Sequence, residues 1–460
     1  MSKKILITFP FGIAARNMIS AGVIEKLLAR GCDIIIAAPE SGFRLLREVY
    51  KGEKITLIPY PDYGKLYLIN HGRGFAERFL VALINSTLNT RTVRWFKKKM
   101  LLRKKYLLYA ALSMPHFFLR GNMRALELLR RLDDKFFPDK IFKKIFDEHK
   151  PDAAVSTHVQ MEHRFIKRAK AQGVPSIGCV LSIDNLTSKG VIRAKPDLLL
   201  VWNELMKQEA LTHNNFKPER VLPVGISQYD IYHDASIFTS RAEFCKKINV
   251  DPASNIVLYA SEAAQSRDDA EMVDLLLNAK HENRFVKPVS IVARIHPRDT
   301  NNPFKKFIGN AEVYIDDSRT DQSAFVDKWY PSRENIIWLA NLIYHSSLTV
   351  MTGSTFAFDV SCLDKPVISL NFDLLPTPYF TSKNQFYKEY DHHDYWLKTG
   401  AIRLADGPDS LISEINRYLL HPEAEAAERE QLRRKIVYKY DGHVGDRIAE
   451  AIAQIRRADT

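Results

Sequence analysis

The sequence predicts an α/β protein of two doubly wound domains, each a parallel sheet with helices packed on it. Three observations carry that expectation. Short apolar, β-branched runs alternate with helical segments near both ends of the chain, the pattern of strand–crossover–strand units. At 460 residues the chain is long for one core and comfortable for two. The alternation also restarts at SNIVLYA after a linker expected near 225–240, which sets the domains at 1–235 and 236–460.

Composition narrows the class. Apolar residues make up 46% and charged residues 26%, an ordinary globular balance in which no long disordered region is expected. Cys32, Cys179, Cys245 and Cys362 stand far apart, without the close pairs of zinc or redox sites, so they are expected to be core thiols. MSKKILITF runs from lysines straight into a strand, and nowhere is there a run of about twenty apolar residues. A cytoplasmic location is expected, with no transmembrane helix.

In chain order, KKILITF, PFGIAARNMISAGVIEKLLARG and CDIIIAAP read as strand, turn and helix, strand. Ligand crevices lie at strand carboxyl ends, so Gly12, Arg16 and Asn17 are expected on the ligand side of the first domain. From about 75 to 150 the pattern turns helical and basic, and Arg91–Lys105 holds eight Lys or Arg and no acid. Apolar residues sit among these charges, so Arg91–Tyr106 is expected to meet an anionic membrane surface, with the protein peripheral at the inner face of the cytoplasmic membrane. No base-reading module accompanies the patch, and nucleic acid is not an expected partner. The sheet pattern returns at PDAAVSTH and VPSIGCVLS, whose following loops carry His158 and then Asp184, Asn185 and Lys189.

The second half continues with a strand into a loop at Ser261 and with VSIVARIHPRD, where Arg294 and His296 leave a buried strand and could clasp a phosphate. SSLTVMT then runs into GSTFAFDVSCL, a strand followed by a helix whose N-terminus holds Gly353, Ser354 and Thr355. N–H groups there and the positive end of the helix dipole favour an anion, and glycine lets a phosphate approach the backbone. Asp359, one turn on, is placed to accept hydrogen bonds from a ribose. His392, His393 and Asp394 are not expected to hold a metal, because adjacent histidines do not share a helix face and no third ligand stands at a recognisable spacing.

The series Trp329, Pro331, His345, Gly353-Ser354-Thr355, Asp359, Pro366, Asp373 resembles the donor box of nucleotide-sugar glycosyltransferases of the two-domain GT-B fold, of the bacterial envelope or capsular polysaccharide type. It departs from that pattern in carrying Asp where Glu is usual and in lacking the second sugar contact after Asp373. The His-Pro pair at 296–297, with a later Ser/Thr pair, resembles bacterial sialyltransferases and polyglycerol-phosphate transferases, which use cytidine-nucleotide donors. The resemblance implies two Rossmann-like domains facing across a cleft and a last helix that crosses back onto the first. It implies transfer from a nucleotide-sugar of UDP or CMP type, used as substrate with no resident cofactor or metal, to a glycan or lipid-linked acceptor. Met351 stands eight residues before Asp359, where many retaining members carry Glu, and inversion is expected.

An inverting transfer needs a base on the acceptor side. Asp184 is the first candidate and His158 the second. A nucleotide-sugar 2-epimerase, a CDP-polyol phosphotransferase and a catalytically inert binding protein are the alternatives.

Overall fold

The computed structural model describes residues 2–51, 54–61, 74–262, 267–299, 301–317, 319, 325 and 331–456. By its own contacts the chain divides into two units. The first comprises Met1–Asp230, Ser323–Tyr330 and Tyr438–Thr460, and the second Ile231–Gln322 and Pro331–Val437.

The first unit has seven strands: β1 (Lys4–Thr8), β2 (Asp33–Pro39), β3 (Ile55–Tyr60), β4 (Ala153–Ser156), β5 (Ser176–Cys179), β6 (Leu198–Val201) and β7 (Val221–Pro223). They lie in the order β3-β2-β1-β4-β5-β6-β7, and every pairing is parallel. Parallel strands are covered on both faces, which is why β2 reads DIIIAAP and buries every residue after Asp33. The order reverses between β1 and β4. Their carboxyl ends form a topological switch point, where open α/β sheets leave a crevice.

Between β3 and β4 lie the helices Phe75–Asn85, Arg91–Leu102, Tyr106–Leu119, Met123–Phe136 and Lys143–His149. Leu80, Ile84, Leu88, Leu126 and Leu129 give this insertion a core of its own, joined by Val191. Buried ion pairs tie it to the sheet: Arg193 reaches Asp133 at 2.6 Å and Glu77 at 3.1 Å, and Arg164 reaches Glu77 at 2.7 Å. Each of these charges is out of water, so removing one partner would strand the other at high cost.

The chain's last helix, Val444–Gln454, packs in this unit's core through Val444, Ile448 and Ile452. Asp230 accepts hydrogen bonds from the N–H groups of Val444 and Gly445 at 3.2 and 2.9 Å, which satisfies two donors at the helix start.

In the second unit six strands, β8 (Asn255–Ala260), β9 (Val289–Ile295), β10 (Val313–Asp317), β11 (Leu348–Met351), β12 (Val367–Leu370) and β13 (Ile402–Ala405), lie in the order β10-β9-β8-β11-β12-β13. All pairings are again parallel. The reversal here falls between β8 and β11. All four cysteines are buried free thiols, as expected. No helix among the described residues is long and apolar enough to cross a membrane.

Candidate functional site

Each sheet brings the expected residues to its switch point. In the second unit β8 leads into Ser261 and Glu262, and β11 leads into Thr352 and the Gly353-Ser354-Thr355 turn. β9, on the other side of β8, leads into His296. Neighbouring strands lie about 4.8 Å apart. His296 and the turn are two strands apart, on the order of 10 Å at the same edge, a span suited to a diphosphate and its attached group.

The turn begins the helix Phe356–Cys362. Ser354 caps it, since its Oγ accepts the N–H of Phe356 at 3.3 Å and its carbonyl that of Ala357 at 3.1 Å. The N–H groups of Ser354 and Thr355 have no acceptor among the described residues. Gly353 differs from expectation: its N–H is not open to a ligand but donates to Tyr387 Oη at 2.9 Å. The glycine is required by its neighbours, because a Cβ there would stand 2.4 Å from Cε1 of His393. His393, set aside as a metal ligand in the sequence, thus supports the turn from behind. Among the described residues no group of three or more His, Cys, Asp or Glu side chains is arranged to hold a metal ion.

His296 is held by a small network. Its N–H donates to Ser261 Oγ at 2.8 Å, and Ser261 Oγ donates to Asp299 at 3.2 Å. Its Nδ1 accepts the N–H of Arg298 at 3.1 Å, so the neutral ring carries its proton on Nε2 and can donate from there. Burial pulls this histidine down to about 4, with the charges of Arg298 and Arg294 adding to the effect, so it is neutral near pH 7. Arg294 does not join it in the expected clasp. Its guanidinium pairs with Asp316 on the neighbouring strand, and Asp316 also accepts Trp338 Nε1 at 2.7 Å. Behind the turn, burial pushes the Glu262 carboxyl up to about 8, opposed by Lys383. Asp359 accepts the hydroxyl of Tyr232 at 2.6 Å. Trp329 lies outside the described residues. His345 is structural: it stacks on Phe244 with ring centroids 4.8 Å apart, and its Nε2 contacts the carbonyl of Thr239 at 3.0 Å. A hollow of about 610 Å³ in this unit, lined by Arg241, Lys287 and Lys365 among others, lies by the opposite ends of the strands.

In the first unit the β1/β4 switch point gathers Thr8, Ser156, His158 and Glu162. The His158 ring lies 5.5 Å from that of Phe11, and its buried Nδ1 has no hydrogen-bond partner among the described residues. Burial pulls His158 down to about 4, while the nearby charge of Asp184 pulls it up and that of Lys189 down. The structure therefore brings His158, Asp184 and Lys189 together, with Lys189 Nζ 3.3 Å from the Asp184 carboxylate and Ser188 Oγ donating to it at 2.9 Å. Asn185 is turned into its own loop, where its side chain accepts the N–H of Ser182 at 2.6 Å. Gly12, Arg16 and Asn17 lie within the helix Gly12–Ile19 rather than in a loop. Arg16 donates to Asn17 Oδ1 at 2.7 Å and also to Gln228.

Sequence reasoning passed over Glu162, whose carboxylate accepts Thr8 Oγ1 at 2.6 Å and Ser156 Oγ at 2.8 Å. Burial pushes it up to about 7. Nothing local marks it. It sits on a helical approach whose burial depends on how β1 and β4 pair, and that pairing joins residues about 150 apart in the chain.

Residues 189–454, more than half of the chain, match the family described as CDP-Glycerol:Poly(glycerophosphate) glycerophosphotransferase. The chain belongs to this glycerophosphotransferase family. Among solved structures it is similar to the UDP-GlcNAc 2-epimerase of Neisseria meningitidis bound to UDP-GlcNAc (13% identity, TM-score 0.52, 98% of this chain and 99% of that one). It is likewise similar to a glycosyltransferase of Rickettsia africae (13%, TM-score 0.52, 98% and 99%) and to S. aureus MnaA in complex with UDP (11%, TM-score 0.52, 98% and 96%). At these identities the likeness is one of fold: two Rossmann-like, parallel-sheet domains of the GT-B kind. No curated protein matches the chain. The chain is thus a member of a family of transferases, the class of enzyme the sequence led us to expect.

Proposed function

We propose that this protein moves a glycerol-phosphate-type group from a CDP-linked donor to a hydroxyl of an envelope polymer at the inner face of the cytoplasmic membrane. The observation that carries the reading is the β8/β11 switch point. There two backbone N–H groups at Ser354 and Thr355, the hydroxyl of Thr355 and the Nε2–H of His296 are gathered at one sheet edge as donors suited to a diphosphate. Arg294 is left out of the donor set because Asp316 holds it. Ser261 acts through the backbone of His296. Asp359, whose carboxylate also accepts the hydroxyl of Tyr232, is the group assigned to the ribose.

In the reaction the acceptor oxygen attacks the β-phosphorus of the donor. The bond from that phosphorus to the bridging oxygen breaks, CMP leaves with that oxygen, and the acceptor proton passes to a base. His158 replaces Asp184 as our first choice for that base. Its buried ring is neutral near pH 7, with no partner for Nδ1 among the described residues, whereas Lys189 and Ser188 already engage the Asp184 carboxylate. Asp184 is then a positioning group whose charge favours the protonated imidazole. His158→Gln should lower kcat far more than it changes donor Kd, and Asp184→Asn should shift the acid limb of the pH profile.

A second reading, inverting transfer of a sugar from a UDP- or CMP-linked donor, is favoured by the order of the Gly353-Ser354-Thr355 and Asp359 series. Incubation with CDP-glycerol or UDP-GlcNAc, each with and without a polyol-phosphate acceptor, separates the readings. Acceptor-dependent CMP release supports the first, and acceptor-dependent UDP release supports the second. Epimerised UDP-sugar without acceptor points instead to an epimerase. If no nucleotide raises the melting temperature, an inert binding protein is the better description, since a ligand bound by the native state alone must stabilise it.

A further inference from the structure

The loop that carries Asp184 and Lys189 has little to hold it by itself. Its one regular element is the four-residue helix Asn185–Ser188, a length with no stability of its own. Three side chains from elsewhere in the chain nevertheless grip its backbone at four atoms. Gln160 Nε2 donates to the carbonyls of Asn185 at 2.6 Å and Gly190 at 3.1 Å. Thr90 Oγ1 donates to the carbonyl of Thr187 at 2.8 Å, and Asn85 Oδ1 accepts the N–H of Val191 at 3.1 Å.

The chemistry of these side chains shows that they are committed to the loop. Both protons of the Gln160 amide go to carbonyls, which turns Oε1 away from them, and that buried oxygen has no hydrogen-bond partner among the described residues. An apolar side chain would avoid the penalty of an unpaired buried oxygen, so what Gln160 supplies is the placement of the loop rather than stability. The Thr90 hydroxyl caps the helix Arg91–Leu102 by accepting the N–H of Val93 at 3.2 Å, which leaves its proton for Thr187. That helix is fixed in turn by Thr92 and by Trp95, both of them buried.

Gln160 lies two residues after His158 on the loop that leaves β4, so its amide joins the loop of the proposed base to the loop of Asp184. Thr90 and Asn85 belong to the helical insertion between β3 and β4. We propose that Gln160, Thr90 and Asn85 are positioning residues for the transfer, holding the Asp184–Lys189 loop against His158 in the geometry that proton transfer from the acceptor requires. The insertion is thereby part of the acceptor-side machinery. This rests on His158 as the base. The charged groups that face the His158 ring are Asp184 and Lys189; both ride on the held loop, and Asp184 acts the more strongly. Freeing the loop takes away a charge that favours the protonated ring, so His158 stays a base to lower pH.

The test uses the full chain and whichever donor the wild type turns over. Gln160→Met keeps the length of the side chain and Thr90→Val its shape, and each removes the hydrogen bonds to the loop. Both should lower kcat about tenfold or more and move the acid limb of the pH profile to lower pH, while donor Kd changes less than about twofold. Thr90→Ser keeps the hydroxyl and should restore activity. In hydrogen exchange, which needs no turnover, residues 184–192 should lose protection in both variants while the sheet keeps its own. Wild-type kcat in Q160M and T90V, or unchanged exchange over 184–192, overturns the proposal. So does a loss of kcat with no shift of the acid limb, which is what a general loosening of the fold gives. If neither variant folds, Asn85→Ala, at an exposed position, is read in the same way. His158→Gln separates the two claims: full activity there removes the base and this proposal with it, whereas an inactive H158Q beside a normal Q160M removes the positioning role alone.

Discussion

His393 stands against Gly353 so closely that a methyl group on the glycine would lie 2.4 Å from the ring. The same ring meets Tyr387, whose hydroxyl holds the Gly353 N–H, at a centroid distance of 5.6 Å. The candidate phosphate turn is thus shaped from behind by a segment some forty residues further along the chain. Gly353→Ala should cost about 1–3 kcal/mol in urea unfolding, the usual range for overpacking. His393→Ala opens the space. G353A/H393A should therefore be more stable than the sum of the two single changes implies, and strict additivity would show that the two residues are not packed as described.

Ser354 and Thr355 divide their roles. The Ser354 hydroxyl caps Phe356, whereas no acceptor or donor for that of Thr355 is seen among the described residues. Thr355→Ala should leave the melting temperature unchanged and raise the Kd for CDP by about fivefold to tenfold, the worth of one hydrogen bond. S354A/T355A should weaken binding further and cost about 1 kcal/mol of stability through the lost cap. Wild-type affinity in the double variant would move the nucleotide elsewhere.

Tyr232 and Asp359 test whether the ribose contact is direct. Tyr232→Phe removes the 2.6 Å hydrogen bond but keeps the ring, and should cost about 1 kcal/mol of stability with a small effect on donor binding. Asp359→Ala should raise donor Kd about tenfold or more. Equal effects of the two on Kd would make Asp359 a structural partner of the tyrosine.

Glu162 predicts a pH dependence. Burial raises its carboxyl in the folded protein from 4.5 to about 7. Between those values the folded state holds a proton that the unfolded state has released. Its contribution to stability is thus complete below about pH 4.5 and is lost as pH rises through about 7, by on the order of 3 kcal/mol. Glu162→Gln should abolish that part of the pH dependence. Parallel wild-type and E162Q curves of melting temperature from pH 5 to 8 would show that this carboxyl does not hold its proton.

Gly445 is a position where no side chain fits. A Cβ there would stand 2.0 Å from the carbonyl oxygen of Ala21, and backbone cannot move aside as a side chain can. Gly445→Ala should lift the last helix from the helix Val23–Ala29 and cost about 3 kcal/mol or more. A loss below about 0.5 kcal/mol would mean that the two helices are not in contact.

Local pattern determined much of this protein. The β-branched runs, the helical crossovers between them and the Gly-Ser-Thr junction at the end of β11 are all properties of a few consecutive residues, so the α/β class, the parallel sheets and the candidate phosphate turn could be read directly. What the turn can offer a ligand could not. Tyr387 takes one N–H, His393 requires the glycine, and Asp316 takes Arg294; each of these partners comes from a distant part of the chain. Glu162 and Trp95 show the same limit from the side of burial. A glutamate on a helical approach and a tryptophan among lysines read as solvent-facing or membrane-facing by composition, but strand pairing and helix packing place both out of water. The sequence determines which side chains are available at each strand end, and the tertiary structure decides which remain available for chemistry, because a hydrogen-bond donor or a charge already satisfied within the fold gains little from binding anything else.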